Sequence, residues 1–416
     1  MSKVAWRLMP FLFVCYIFAY LDRVNIAFAK AHMQGALGFD PYIYGLGAGI
    51  FFLGYVLFEV PSNLLMVRIG ASKTILRIMV LWGIAASLMM FVNHPWHFYV
   101  LRFFLGVFEA GFAPGVILYL VTWAPAAKRG KFLGLFLTAT ATAGLIGAPL
   151  SGAIITWMDG VAGYPGWRWM FFVQGMPSVL IGLMVPFVLT DRPRDAAWLS
   201  DEEKAAIEGA LSLERQDSPH REGHFFAALR NRRVYILSFC YFTLASGTFL
   251  LAFWLPAALT AAGAKGTWEV SLFTAIPYGA AVVAMVLLGW NSDRTRERRW
   301  HCALPGLIAS AALLATIWSP SLLVTVLLFS IATACIFGML AVFWAIPPRF
   351  FTGIAAAGCI AFINSIGNFA GFVNPYVVGW LQQSTGSLIP GILLTLVLLV
   401  SGSITLLIAV PKATNE

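Results

Sequence analysis

Apolar residues in this chain neither alternate nor follow a single helical stripe. They come in long blocks that are apolar all round, each able to cross a bilayer, for which about 20 residues per helix suffice. Twelve such blocks fall near 8–30, 43–67, 74–93, 96–123, 131–157, 168–190, 233–261, 269–290, 302–318, 321–346, 353–381 and 388–410. Most connections are short and rich in Gly, Pro or charge. The exception is 191–232, which holds nine of the eighteen acidic residues and no run able to span. Within it, Ser200 and Glu203 have capping-box spacing, and AAIEGALSLE predicts a short helix outside the bilayer.

Composition agrees with the pattern. The chain is 60% hydrophobic and 11% charged, with a mean hydropathy of +0.82, whereas a soluble domain carries about 25% charged residues. The predicted class is an all-α polytopic membrane protein. Its long segment divides the spans six and six, and Gly289 to Arg294 forms a GxxxDR turn between spans 8 and 9. The same frame recurs between spans 2 and 3, with Val67 where the Asp would stand before Arg68. Duplicated halves predict twelve transmembrane helices in two six-helix bundles around a central cavity. The expected units are an N-terminal bundle (1–190), a cytoplasmic central loop with its short helix (191–232) and a C-terminal bundle (233–416).

Charge gives orientation. The net charge of +9 need not mean nucleic acid, because basic residues of a membrane chain collect in cytoplasmic loops. With loops assigned alternately, one side receives Lys3, Arg7, Arg68, Lys73, Arg77, Lys128, Arg129 and Lys131. It also receives the central segment, Arg294, Arg296, Arg298, Arg299, Arg349 and Lys412; the other side has only Lys30, Arg168 and Lys265. Both termini and the central loop are therefore expected to be cytoplasmic. The five cysteines lack metal-site spacing and read as buried thiols, and no Walker loop, HExxH or GxSxG is present. No metal, cofactor, nucleic-acid partner or enzymatic activity is expected.

A charge at the centre of a membrane helix costs about 2.5–3.5 kcal/mol to insert, so ionisable groups within spans are functional candidates. Few exist: Asp22 and Arg23 in span 1, Glu59 in span 2, and Arg102 and Glu109 in span 4. Arg102 and Glu109 share one helix face two turns apart. Tyr16, Tyr20 and Arg23 likewise share a face of span 1. An arginine held in a dry cavity is either an anion-binding group or a structural counter-ion. The structural alternative for Arg102 is a permanent pair with Asp22 or Glu109. Glu59 precedes Pro61 near the cytoplasmic end of span 2, where gating or packing is expected. Weaker polar candidates are Tyr55, Thr138, Thr140 and Thr142, and Asn364 and Asn368 on one face of span 11. Gly144, Gly147, Pro149 and Gly152 most simply permit close helix approach.

Several stretches carry a resemblance. R102FFLG106, the GxxxDR turn and AGLIGAPLSG resemble the major facilitator superfamily. YLDRVNIAFA, GYVLFEVPSNLL, LRFFLGVFEAGFAPGVILYL, DRPRDAAWLSDEEK and INSIGNFAGFVNPYVVG are similar more narrowly to its anion:cation symporter family. Members of that family take up tartrate, hexuronates, galactonate, phthalate and related aromatic acids, each with a proton. The resemblance implies that Asp22 and Glu109 handle the proton, with Arg102 responding to it. It implies that Arg23 holds the substrate carboxylate and that Tyr20, Tyr55 and an Asn of span 11 (Asn364 or Asn368) contact the substrate. Thr140 stands where sugar-acid members carry Gln, which argues against a galactonate-like substrate, and Trp344 with Phe343 would suit an aromatic acid. Inner-gate charges are expected at Arg68, Asp293 and Arg294, with the relay weakened by Val67.

The resulting expectation is a monomeric secondary transporter in the inner (plasma) membrane that carries a small organic anion with a proton by alternating access. A division of labour is expected at the adjacent pair: Arg23 turns to the anion, while Asp22 turns towards Arg102 and Glu109 and holds the proton. An exchanger of organic anions is the alternative, and a polytopic sensor or membrane enzyme a remoter one.

Overall fold

A computed structural model describes residues 2–217, 231–350 and 353–410, leaving aside the side chains of 2, 126–131, 213–217, 348 and 353–357. Lys412 and the side chains of Lys128, Arg129 and Lys131 thus lie outside the described residues. The N-terminal half contains α1 (Ser2–Val24), α2 (Ile26–Leu37), α3 (Pro41–Ile69), α4 (Ala71–Leu88), α5 (Pro95–Glu109), α6 (Phe112–Trp123), α7 (Ala126–Trp157) and α8 (Gly166–Val188). The short α9 (Asp201–Asp217) follows. The second half contains α10 (Arg232–Ala261), α11 (Gly266–Thr295), α12 (Arg299–Thr316), α13 (Leu322–Phe343), α14 (Gly353–Thr385) and α15 (Ile389–Ala409).

Ten helices among the described residues are long and apolar enough to cross a membrane, counting α1 with α2 and α5 with α6 as one span each. The more polar α12, which opens Arg-Trp-His, and α14, which carries Asn364, Asn368 and Asn374, complete the twelve. Local signals set several ends. Asp40 caps α3 by accepting from the Ile43 N–H (2.7 Å), with Pro41 at the first helical position. The expected capping box at α9 is formed in both directions, Ser200 N–H to Glu203 Oε2 at 3.0 Å and Glu203 N–H to Ser200 Oγ at 3.2 Å.

The two halves repeat one packing plan. In the first, α3 packs on α5, α4 on α8, and α1 on α7 and α8; in the second, α11 packs on α13, α12 on α15, and α10 on α14 and α15. These are the same pairings six spans later, so the duplication hinted at by the GxxxDR frame extends through the whole architecture. The halves meet along α3 with α14 and α7 with α11. Small residues make those seams close: a Cβ on Gly45 would lie 2.4 Å from Pro375 O, and one on Gly152 2.3 Å from Ser271 Oγ. The glycines of span 5 thus serve close approach, as expected.

Four hydrogen bonds among the described residues join the halves. Lys30 Nζ donates to Gln382 Oε1 (3.0 Å), His32 Nε2 meets Thr267 Oγ1 (2.9 Å), Tyr44 donates to Phe253 O (3.0 Å) and Asn364 Nδ2 donates to Glu59 Oε1 (2.9 Å). The first three lie towards the end carrying the 37–41 and 261–266 turns. The charge asymmetry assigns that end to the outside, and it is called outer below.

Candidate functional site

One of the charged spans is broken where its charge lies. Span 1 stays helical through Asn25 (φ −56°, ψ −26°), directly after Asp22 and Arg23, with Asn25 N–H still bonded to Leu21 O (2.9 Å). Span 4 breaks: Ala110 adopts an extended ψ of 129° and Gly111 a left-handed φ of +88°, so Glu109 is the last residue of α5. Only glycine fits at 111, since a Cβ there would also lie 2.7 Å from Ser62 Cβ. Gly106, one turn earlier, lets α5 press directly on α3, because a Cβ would lie 1.9 Å from Phe51 O. Broken helices near mid-membrane are tolerated where the loosened backbone is enclosed by protein, and they commonly frame binding sites.

This close packing brings the two charged spans together. Arg23 Nη2 forms a short charge-assisted bond to Glu109 Oε1, and both side chains are nearly fully buried. Four rings surround the guanidinium, with centroids 6.0 Å (Tyr20), 5.3 Å (Phe51), 5.8 Å (Phe52) and 5.4 Å (Tyr55) from Arg23 Cζ. Arg23 Nε, Glu109 Oε2 and the Tyr20 hydroxyl are buried with no partner among the described residues. Native proteins leave few buried polar atoms unsatisfied. The guanidinium's own Nε and two such atoms beside it mark a place able to accommodate a ligand, water or proton.

Arg102 does not sit in an ion pair. Its Nε, Nη1 and Nη2 donate to the carbonyls of Gly47 (3.2 Å), Arg23 (3.3 Å) and Ala48 (3.3 Å). The expected structural pair with Asp22 or Glu109 is thus absent. Arg102 fastens the backbones of α1 and α3 instead, which close α3–α5 contact makes possible. The expected orientation of Asp22 is also corrected. Its Oδ2 accepts from Ser178 Oγ (2.8 Å) and Trp82 Nε1 (3.1 Å), with no hydrogen bond or ion pair to Arg102 or Glu109 among the described residues. Residues 22 and 23 point about 100° apart on a helix, so with Arg23 facing α3 and α5, Asp22 enters the bundle interior between α4 and α8. Neutral donors meet one carboxylate oxygen there, and Oδ1 has no partner.

The remaining candidates separate into two groups. Tyr20 and Tyr55 flank Arg23 as described. In the opposite half, Trp344 packs edge-on against Tyr241 (4.7 Å) and Phe343 stacks on it (5.1 Å), forming an aromatic wall. Asn364 is engaged by Glu59, which makes that pair a cross-bundle contact, while Asn368 makes no side-chain hydrogen bond among the described residues. Thr138, Thr140 and Thr142 donate to carbonyls of their own helix (2.7, 2.8 and 2.9 Å). Of the turn residues, Asp293 pairs with Arg298 inside its own half, Arg294 lies over Trp290 (5.4 Å) and Arg68 is exposed.

Sequence reasoning passed over Trp82, Ser178 and Asp191. Asp191 Oδ1 accepts from the Ser72 N–H (2.8 Å) and caps α4, supplying an acid beside the turn that lacks one at Val67. Lys30, placed above among the outer loop charges, lies within α2 and is only 4% exposed. Nothing in residue type or spacing marked these partners.

A profile described as the Major Facilitator Superfamily matches residues 12–375. The chain belongs to the major facilitator superfamily. It is 42% identical over 392 residues to a protein named metabolite transport protein NicT from Pseudomonas putida, covering 93% of this chain and 89% of that one. It is 41% identical over 416 residues to a protein named as a tartrate transporter from Agrobacterium vitis, covering 99% and 92%. In three dimensions it resembles a bacterial homologue of the human lysosomal transporter Spinster, with a TM-score of 0.78 over 97% of this chain and 96% of that one. Identity there is 16%, so that likeness speaks for the fold alone. This facilitator-family protein is a multi-pass membrane transporter, not an enzyme.

Proposed function

We propose that this transporter carries a small organic carboxylate together with a proton, by alternating access of two bundles spanning 1–190 and 233–416. The carrying observation is Arg23: a buried guanidinium bonded to Glu109 and ringed by four aromatics, with its own Nε, Glu109 Oε2 and the Tyr20 hydroxyl lacking partners among the described residues. A substrate carboxylate has the charge and fork geometry to replace Glu109 on Arg23. Glu109, displaced in a dry setting, is then the costlier of the two in its charged form and takes a proton. In reverse, a proton on Glu109 frees Arg23 for the anion, so each event favours the other through one coupling free energy. Asp22, held by Trp82 and Ser178, is the second proton candidate, and Arg102 steadies the backbone that carries Arg23.

The aromatic surround, with the Tyr241–Trp344 wall opposite, favours acids with a flat or apolar body over polyhydroxylated ones. Three crossing hydrogen bonds at the outer end support reading this arrangement as closed to the outside. On this reading the protein works as a monomer in the inner membrane, and the charge asymmetry supports placing its termini and α9 towards the cytoplasm. The deciding experiment is thermal-shift screening of purified protein against tartrate, sugar acids, phthalate and hydroxyphenylacetate, followed by uptake of the best stabiliser into right-side-out vesicles. External acidification should raise uptake. Dependence on sodium with indifference to pH would overturn the proton reading, and counterflow that never responds to a proton gradient would make the protein an exchanger.

A further inference from the structure

Lys30 is the one buried lysine among the described residues, and no carboxylate pairs with it there. Its ammonium lies 3.8 Å from the Trp254 ring centroid and 5.2 Å from that of Tyr44, with a single hydrogen bond to Gln382. An ammonium can donate three. Lys30 and Tyr44 belong to one half, and Trp254 and Gln382 to the other. Tyr44 also donates to Phe253 O, and Phe52 packs edge-on against Phe249 (4.5 Å) just inside. Two of the contacts that hold Lys30 at the outer seam, those to Trp254 and Gln382, thus exist only while the bundles touch.

The face of α3 explains where that charge leads. Tyr44, Phe51, Phe52 and Tyr55 are spaced 7, 1 and 3 apart along α3, so they form one aromatic ridge. Lys30 lies over the outer end of the ridge, and Arg23 lies among Phe51, Phe52 and Tyr55. Parting of the outer seam would strip Lys30 of Gln382 and Trp254 and leave two cations in file on one aromatic face.

We propose that Lys30 is an outer anion-recruiting site. When the seam opens it receives the substrate carboxylate before Arg23 does, and it returns to Gln382 and Trp254 when the seam shuts. The proposal rests on the carboxylate-transport reading above, because it needs an anion entering from outside through that seam. A lone positive charge in a low-dielectric mouth concentrates anions there.

The test has one arm that needs no substrate. In right-side-out vesicles, Gln382→Cys is modified with impermeant methanethiosulfonates carrying either a sulfonate or a trimethylammonium group, with and without Lys30→Gln. The unsubstituted protein gives the background from its own cysteines. With Lys30 present the anionic reagent should be favoured, and removing it should lower the anionic-to-cationic rate ratio about tenfold, less at high salt. An unchanged ratio, or an introduced thiol that neither reagent reaches, overturns the proposal. In the second arm, uptake of the acid chosen by the thermal-shift screen should show a KM raised about tenfold in Lys30→Gln with little change in kcat, largely restored in Lys30→Arg. Loss in both variants alike would mean a packing role and overturn it too. Failure of the unsubstituted protein to bind any of the acids would sink the carboxylate reading, and the reagent ratio would still decide whether Lys30 attracts anions.

Discussion

The two bundles share a packing plan but divide the chemistry unequally. Every buried charged side chain among the described residues, Asp22, Arg23, Lys30, Glu59, Arg102 and Glu109, belongs to the first half. The second half buries hydroxyls and one amide, as at Thr243, Ser271, Thr333 and Asn374, most of them spent on carbonyls of their own helix. Duplication therefore preserved the scaffold while ionic function concentrated on one side. The buried charges line one half, and the other presents a largely neutral wall; on the proposed transport reading the first would sense charge while the second approaches or withdraws.

Substitutions can break or sharpen that division. The largest effect is expected for Arg23→Gln, which removes the anion contact and leaves Glu109 buried without its partner. Acid-induced thermal stabilisation should vanish and uptake fall at least about a hundredfold, in keeping with about 3 kcal/mol at a desolvated charge contact. Retained stabilisation would move the anion site elsewhere. Next comes Glu109→Gln, in which the amide oxygen still meets Arg23 but cannot exchange a proton. Counterflow should persist while accumulation driven by a proton gradient drops about tenfold or more, a loss of coupling rather than of binding. Unchanged accumulation would pass the proton role to Asp22.

A middle-sized effect is expected at the Asp22 pocket. Ser178→Ala removes one of two donors to a buried carboxylate and should cost about 1–3 kcal/mol of stability, read from thermal unfolding, while also altering the pH profile of uptake. A stability loss with an unmoved profile would make Asp22 purely structural. The smallest effect should come from the neutral half. Asn364→Ala frees Glu59 from its crossing contact and should change KM about two- to fivefold, consistent with the net contribution of an ordinary hydrogen bond, about 0.5–1 kcal/mol, with the pH profile intact. A displaced profile there would blur the comparison, because an amide of the second half would then be tuning proton chemistry at Glu59 of the first.

The fold was readable in the sequence because a bilayer enforces simple rules. Twelve apolar blocks and a capping box at Ser200 need only local information, and both reappear in the helices. The charged residues were readable too, since an ionisable group in an apolar block stands out. Their pairings were not. Arg102 could be placed on one face with Glu109 by helical phase, yet with α5 close against α3 at Gly106 it donates to carbonyls of α1 and α3 instead. Asp22 found Trp82 and Ser178, donors with no distinguishing pattern 60 and 156 residues away. Lys30 looked like a loop charge because its burial depends on Trp254 and Gln382 from the other half.

The break at Ala110 and Gly111 has a mechanical consequence. Span 4 is two rods with a joint. Its outer rod is pinned to α3 at Gly106 and ends on Glu109, whereas the inner rod, α6, starts afresh beyond the joint. A bend at the cytoplasmic mouth can be absorbed there without twisting the outer rod. The carboxylate can then keep its address while the doorway beneath it changes width, and if Glu109 carries the proton as proposed, one site would serve both faces of the membrane.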